Sequence, residues 1–209
     1  MRVDSNAMRI KGVLFDFDGT LTRPGALDFP AIKRILGCPP EHPILEFIAS
    51  APAHRQSELM KLLEEQEDLA SKSSLPNRGA ESCLLALKER LFPMGIHTRS
   101  RLKPIRMALE RFEGVSIEDF RTVVTRETTR PKPHPEGVIR AAAEMGISCC
   151  QLLVVGDFSF DVIAGKRAGA MTAFLTNGGA CVMAPENPAP DYIIGNLEEL
   201  PDLLNRGFG

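Results

Sequence analysis

The sequence predicts an α/β protein: a doubly wound, mostly parallel sheet with a small all-helical insertion after its first strand. Short apolar runs alternate with stretches of helical periodicity, the pattern of strand–helix–strand crossovers. One of those runs ends directly in Asp and another in Gly-Asp, as buried strands do when they deliver polar side chains to a sheet edge. About eighty residues separate the first run from the second, where a simple crossover needs roughly a dozen or more. At 209 residues the chain suits one α/β unit of ordinary size, or such a core with a small module inserted.

Taken in order, Ile10 to Phe15 is the first strand, apolar throughout its second half and ending at Asp16. Met94–His97, Thr122–Val124, Leu152–Val155 and Met171–Leu175 are the next four, and Tyr192–Ile194 is a sixth at an edge. Between them Glu81–Leu91 places Leu84, Leu85, Leu87 and Leu91 largely on one helical face. Ile105–Phe112, Gly137–Met145 and Asp161–Ala168 follow the same rule. In the long gap, Ala31–Leu36, Ile44–Ala49 and Ser57–Ala70 read as helices, and no strand pattern is evident. The gap, residues 22–77, is therefore expected to be a helical insertion, hinged at Pro24-Gly25 and Pro76-Asn77, with residues 8–21 and 78–209 forming the core. Its leucines suit a core of its own rather than a dimer seam, and Glu64-Glu65-Gln66-Glu67-Asp68 reads as a solvated face.

Composition narrows the functional classes. Hydrophobic residues make up 44% and charged residues 25%, too apolar for a disordered chain. No run approaches roughly 18 apolar residues, so no membrane span is expected. The net charge is −2, with one Tyr and no Trp, which argues against a nucleic-acid partner. Five cysteines without a CxxC pair read as reduced cytoplasmic thiols. The start, Met1 to Ala7, lacks the apolar stretch of a secretory signal, and Ser5-Asn6-Ala7-Met8 fits both a cloning remnant and a natural alternative start.

Four strand ends carry the chemistry. Asp16-Phe17-Asp18-Gly19-Thr20 follows the first strand, and Gly156-Asp157 ends the fourth, with Asp161 four residues on. The second strand ends at Thr98, followed by Arg99, and Lys132 lies between two prolines after the third. In a parallel sheet these ends converge on one edge. Carboxylates crowded together repel unless a cation sits among them, and an all-oxygen donor set suits a hard cation such as Mg²⁺. Beside it, a lysine and a hydroxyl are parts for holding phosphate oxygens. One carboxylate can attack phosphorus and a second can pass a proton to the leaving group. The set thus reads as metal-assisted phosphoryl transfer.

In that order and approximate spacing, DxDGT, a threonine after an apolar strand, Lys-Pro-x-Pro and GDxxxD resemble the haloacid dehalogenase superfamily, specifically its phosphatase branch with a small helical cap (phosphoglycolate phosphatase-like, subfamily IA). The resemblance spans Ile10 to about Leu175. It implies that Asp16 is the nucleophile and a Mg²⁺ ligand. Asp18 would be the general acid/base, its backbone carbonyl also touching the metal. Thr98 and Lys132 would bind the transferring phosphoryl group, with Arg99 orienting that loop or merely pairing with a surface acid. Asp157 would hold Mg²⁺, and Asp161 would support it directly or through water. The insertion would be a cap that closes over the site and selects the substrate. The expected substrate is a small phosphorylated metabolite, a phosphoglycolate-like or sugar-phosphate monoester, acted on in the cytoplasm by a monomer or homodimer.

Phe158, Phe160, Pro93 and Ser100 depart from residues more usual at their positions, without removing a catalytic part. Each motif also has a plain structural reading. Asp16 and Asp18 alone would suit a turn, Asp161 a helix cap, and Lys132 a solvated surface. The four scattered histidines lack ligand spacing. Three rivals share parts of the pattern. A haloacid dehalogenase usually lacks an acid at the position of Asp18. A phosphomutase would return the phosphoryl group to a sugar. A phosphoaspartate signalling module would not turn over.

Overall fold

The computed structural model describes residues 10–181 and 183–205. The polar start, including Ser5-Asn6-Ala7-Met8 and the first two residues of the expected core, lies outside them.

Six strands form one sheet: β1 Gly12–Phe15, β2 Met94–His97, β3 Thr122–Val124, β4 Leu152–Gly156, β5 Met171–Leu175 and β6 Tyr192–Ile194. Every pairing is parallel, in the spatial order β3-β2-β1-β4-β5-β6. The central strands β1, β2 and β4 are buried end to end, as a sheet covered on both faces requires, while the edge strand β6 exposes Ile193. β6 is at the edge, as its weak pattern suggested. From β1 the order runs outward in both directions, and a doubly wound sheet binds ligands in the crevice where its order reverses, here between β1 and β4.

Helices α4 Ala80–Glu89 and α5 Leu102–Leu109, with the terminal α8 Leu200–Asn205, cover one face, where Val13, Phe15, Leu84, Leu87, Ile96, Ile105 and Leu153 share a cluster. Helices α6 Glu136–Glu144 and α7 Ser159–Ala168 cover the other, around Leu14, Val138, Leu152 and Val154. The helix limits differ from the periodicity by a few residues because caps, not apolar spacing, set them. Helix α4 stops at Glu89, two residues before Leu91, whose φ of 52° breaks the helix. Helix α8 was not anticipated; its short sequence carries too few apolar turns to show a period.

Between β1 and β2 lie α1 Phe29–Leu36, α2 Ile44–Ser50 and α3 Ala53–Ser71. Asp28 caps α1 by accepting from the Ala31 N–H at 2.9 Å, and Gly37 ends it in the left-handed region. The three helices hold a cluster of their own, comprising Ile32, Leu36, Ile44, Ile48, Leu59 and Leu63. The segment leaves and rejoins the sheet side by side: Thr22 and Pro76 form an antiparallel bridge, and the Asn77 N–H donates to the Leu21 carbonyl at 2.8 Å. The solvated face expected on α3 needs correction. Glu67 is only 5% exposed, and Glu64, Glu67 and Asp68 pair with Arg101 beyond β2. No described helix is long and apolar enough to cross a membrane.

One ion cluster pins the far side of the sheet. The Asp191 carboxylate accepts from the buried Thr172 N–H at 2.8 Å and its hydroxyl at 3.0 Å, and pairs with Lys166. Burial works against its charge, but Lys166 and Thr172 outweigh that and hold its pKa below the usual carboxylate value. Asp191→Ala strands a buried donor and should cost about 1–3 kcal/mol in a denaturant melt. The wild-type contribution is present above the ordinary carboxylate pKa and disappears as pH falls through the lowered folded value, so the variant and wild type should converge in acid. A constant difference across that range would assign the effect elsewhere.

Candidate active site

The register of the sheet determines which residues meet. Phe15 lies opposite both Ile96 and Val155, so the residues that follow, Asp16, His97 and Gly156, stand level at the carboxyl edge. Asp157 and Thr98 come one step later on either side of β1. The chain then turns sharply at Phe17–Leu21, with Asp18 and Gly19 out of helical geometry. Gly19 has φ 84°, and a Cβ there would strike the Asp157 carboxylate. At Gly156 a Cβ would strike Asp161 in the same way. Both glycines are therefore places where the backbone makes room for a carboxylate.

Lys132 anchors the cluster. Its ammonium is buried and sits 2.6 Å from Asp16 Oδ1 and 2.5 Å from Asp161 Oδ1. Burial opposes its charge, yet Asp16 and Asp161 raise its pKa above the ordinary lysine value. Asp161 serves twice: its second oxygen accepts from the Phe158 N–H at 3.3 Å, capping α7. The helix cap expected of that residue is therefore present, with its other oxygen on Lys132. Asp157 is steadied by the Thr20 hydroxyl, which donates to Oδ1 at 3.1 Å.

Carboxylate oxygens of Asp16, Asp157 and Asp161 lie within 4.8 Å of one another. Burial, reinforced by Asp16, raises the pKa of both Asp157 and Asp161; for Asp161 the neighbouring Lys132 pulls the other way. Such crowding of hard oxygen donors fits a divalent cation such as Mg²⁺. The Asp18 carboxylate is outside this trio. It is half-buried, and loss of hydration, then the charges of Asp16 and Glu67, push its pKa up to about 8.

The other expected site residues are placed differently. Thr98 is buried, with its oxygen accepting from the Ser100 N–H at 3.0 Å. Arg99 turns away from the carboxylates: it binds Glu46 on α2 at 3.0 Å, reaches the Lys132 carbonyl, and lies 4.9 Å from the centre of the Phe160 ring. Phe160 in turn meets Phe158 edge-to-face at 5.0 Å. The two aromatics therefore pack on each other and against Arg99. His97 is buried neutral, its pKa lowered by burial and then by Lys132, with both ring nitrogens unpartnered. His134 pairs with Glu136 away from the cluster.

Sequence reasoning missed two asparagines. Asn77 Nδ2 donates to the Thr20 carbonyl at 2.9 Å and to Asn177 Oδ1 at 2.8 Å, while Asn177 Nδ2 donates to the Gly19 carbonyl at 2.9 Å. They clamp the turn that carries Asp18. The local signals, a hinge at Pro76-Asn77 and a turn at Gly178-Gly179, say nothing of these side-chain contacts.

A buried lysine among three carboxylates stands at the carboxyl edge of a doubly wound parallel sheet, where such sheets bind ligands. The chain belongs to the haloacid dehalogenase-like hydrolases, whose family model matches residues 22–175. That match carries Thr98, Lys132, Asp157 and Asp161 and begins just after Asp16 and Asp18. An uncharacterised hydrolase of Saccharomyces cerevisiae is 29% identical, over 93% of this chain and 91% of its own. An N-acetylmuramic acid 6-phosphate phosphatase of Pseudomonas aeruginosa is also 29% identical, over 96% of this chain and 97% of its own. A crystal structure of a hydrolase from Pseudomonas syringae superposes with TM-score 0.78, covering 94% of this chain and 98% of that one; at 19% identity the likeness is one of fold.

Proposed function

We propose that the chain is a Mg²⁺-dependent phosphatase that hydrolyses a small phosphate monoester through an aspartyl-phosphate on Asp16. The observation that carries this reading is the Lys132 ammonium 2.6 Å from Asp16 and 2.5 Å from Asp161, with Asp157 completing the acidic trio. Asp16, Asp157 and Asp161 would hold the cation, with the Asp18 backbone carbonyl as a further donor. Bound there, Mg²⁺ supplies positive charge against the phosphoryl oxygens and against the crowded carboxylates.

Asp16 directly follows β1, and its backbone N–H donates to the Val155 carbonyl at 2.8 Å, so its carboxylate is aimed by the sheet itself. One of its oxygens forms a bond to phosphorus as the bond to the leaving oxygen breaks. Asp18, with its pKa near 8, carries the proton that the leaving oxygen takes. A water then attacks phosphorus, gives its proton to Asp18, and Asp16 departs as carboxylate with free phosphate. Lys132 stabilises the transferring group's charge, where most of the rate should arise. Thr98 would bind the same group by donating its hydroxyl proton while its oxygen still accepts from the Ser100 N–H, and Arg99 would act by holding the Lys132 backbone.

In this reading residues 22–77 form the cap, tied to the core by the Asn77–Leu21 backbone bond and by the ion pairs of α3 with Arg101. The five unpaired cysteines support a reducing, cytoplasmic setting.

The test is phosphate release from an aryl phosphate. EDTA should abolish it and Mg²⁺ restore it, with Ca²⁺ poor because its looser shell misplaces the nucleophile. Full activity after EDTA and dialysis would remove the metal from the reading. Single-turnover labelling without phosphate release would instead favour the signalling module.

The same groups predict a pH effect on the metal-free protein. Asp18, Asp157 and Asp161 have raised folded pKa values, so the folded state binds more protons than the unfolded one between the ordinary carboxylate pKa and about 8. Stability therefore falls as pH rises through that window. Melting temperatures in EDTA should decline from mildly acidic to mildly alkaline buffer, and Mg²⁺ should flatten the decline. An EDTA profile that rises with pH would contradict the crowded-carboxylate picture.

A further inference from the structure

We infer that Glu46 is a positioning residue of the reaction: through Arg99 it fixes the backbone that carries Lys132, so that the seating of α2 against the sheet sets kcat. The inference rests on the phosphatase reading and concerns how the helical insertion governs that same site.

Arg99 stands where three elements meet. Its guanidinium binds Glu46 on α2 with both arms, Nη1 to Oε1 at 3.0 Å and Nη2 to Oε2 at 2.5 Å. Nη1 also donates to the Lys132 carbonyl, in the segment after β3. The same group lies 4.9 Å from the centre of the Phe160 ring, in the first turn of α7 and next to Asp161. The planar fork of an arginine can hold a carboxylate bidentately and still direct an N–H at a carbonyl, which a lysine ammonium cannot do. Lys132 needs such a brace. Pro131 and Pro133 flank it, and neither has an N–H with which to tie the segment down. Its ammonium, 2.6 Å from Asp16 and 2.5 Å from Asp161, is displaced whenever that backbone shifts.

The insertion is held to this region at two places of unequal strength. On α3, Glu67 grips Arg126, and both side chains are buried. Arg126 donates onward to the Arg99 carbonyl at 3.0 Å. Glu67 also borders the small cavity beside Asp18. Breaking so buried a pair leaves uncompensated charge, so this tie fixes the Arg99 backbone firmly. On α2, by contrast, the Glu46 side chain is 46% exposed and that of Arg99 21%. Such a pair contributes little to stability, because water competes for both partners. Glu46 therefore holds the direction of a side chain whose backbone is already fixed, rather than the fold. Without it the guanidinium keeps one carbonyl and one ring face, and solvent competes for its free N–H groups. Ile44 and Ile48 are buried in the insertion's own cluster, which places Glu46 on the other side of α2. The reach of Glu46 to Arg99 thus depends on where α2 sits.

The experiment uses the full chain with Mg²⁺ and an aryl phosphate. It measures kcat and KM by phosphate release, with circular dichroism giving the folded fraction by which kcat is divided. Glu46→Gln should lower kcat about three- to fivefold, the range a half-exposed pair supports, with KM within about twofold and little change in melting temperature. Arg99→Met should lower kcat further, on the order of tenfold, because the bond to the Lys132 carbonyl is lost as well. In the Arg99→Met background, Glu46→Gln should have no additional effect, since Glu46 acts through that guanidinium. Glu41→Gln alters an exposed acid of the same insertion that pairs with His42, and should leave both constants at their wild-type values. An unchanged kcat in Glu46→Gln would overturn the inference. So would a rise in KM alone, which would make Glu46 a substrate contact, and so would additive losses in the double variant, which would route its effect past Arg99. No phosphate release by the wild-type chain would overturn the phosphatase reading itself.

Discussion

Asp16→Asn is expected to reduce phosphate release to background and to abolish any phosphoenzyme. The amide cannot serve as nucleophile, and Asp16 is the carboxylate beside Lys132 that the end of β1 aims, through its N–H on the Val155 carbonyl. Asp18→Asn should behave differently, because it leaves the nucleophile in place and removes the proton carrier, a loss typically worth about 10²–10⁴-fold. An aryl leaving group departs with little protonation, so its first step should suffer less than that of an alkyl phosphate. The second step still needs a base for water, so aspartyl-phosphate should accumulate on Asp16 in the Asp18 variant. Mass spectrometry of quenched reactions would show the adduct there and not in Asp16→Asn. An adduct that persists in Asp16→Asn, or maps to another residue, would refute the assignment of nucleophile.

Lys132→Met should lose activity and stability together. The ammonium is the positive group bonded directly to Asp16 and Asp161, and both partners are buried. Removing one member of a buried ion pair leaves uncompensated charge and typically costs about 3–5 kcal/mol. Removing a donor aimed at developing phosphoryl charge typically costs about 10²–10³-fold in kcat. Mg²⁺ should recover part of the lost stability, since it supplies charge to the same carboxylates, but not the rate. Circular dichroism melts with and without Mg²⁺, beside turnover of the folded fraction, separate the two effects. Wild-type kcat in a folded Lys132→Met protein would show that the lysine is structural only.

Glu67 illustrates how the two sources of information differ. In sequence it stands in Glu64-Glu65-Gln66-Glu67-Asp68, indistinguishable from a solvated acidic face. In the fold it is buried, because Arg126, 59 residues further along, comes back to grip it. Arg99 is similar: its partner Glu46 lies 53 residues away. Asn77 and Asn177, which clamp the Gly19–Thr20 turn, are 100 residues apart. Helix ends were also imprecise, since they depend on single caps and left-handed residues rather than on period.

The strands, their order of chemistry and the acidic ends of β1 and β4 were determined by sequence alone. Apolar runs and helical spacing are local consequences of burying one face or both, and a parallel sheet necessarily gathers its strand ends at one edge. Asp16, Asp157, Asp161 and Lys132 could be named because each follows such a strand. Tertiary structure alone decided which polar groups meet across long chain separations: that Arg99 serves Glu46 and the Lys132 backbone, that Glu67 lines the cavity beside Asp18, and that two asparagines hold the turn. Those contacts depend on side-chain direction and on how helices α1–α3 seat against the sheet. Hydrophobic periodicity records only that a face is buried, and carries no term for the charged partner it is buried against.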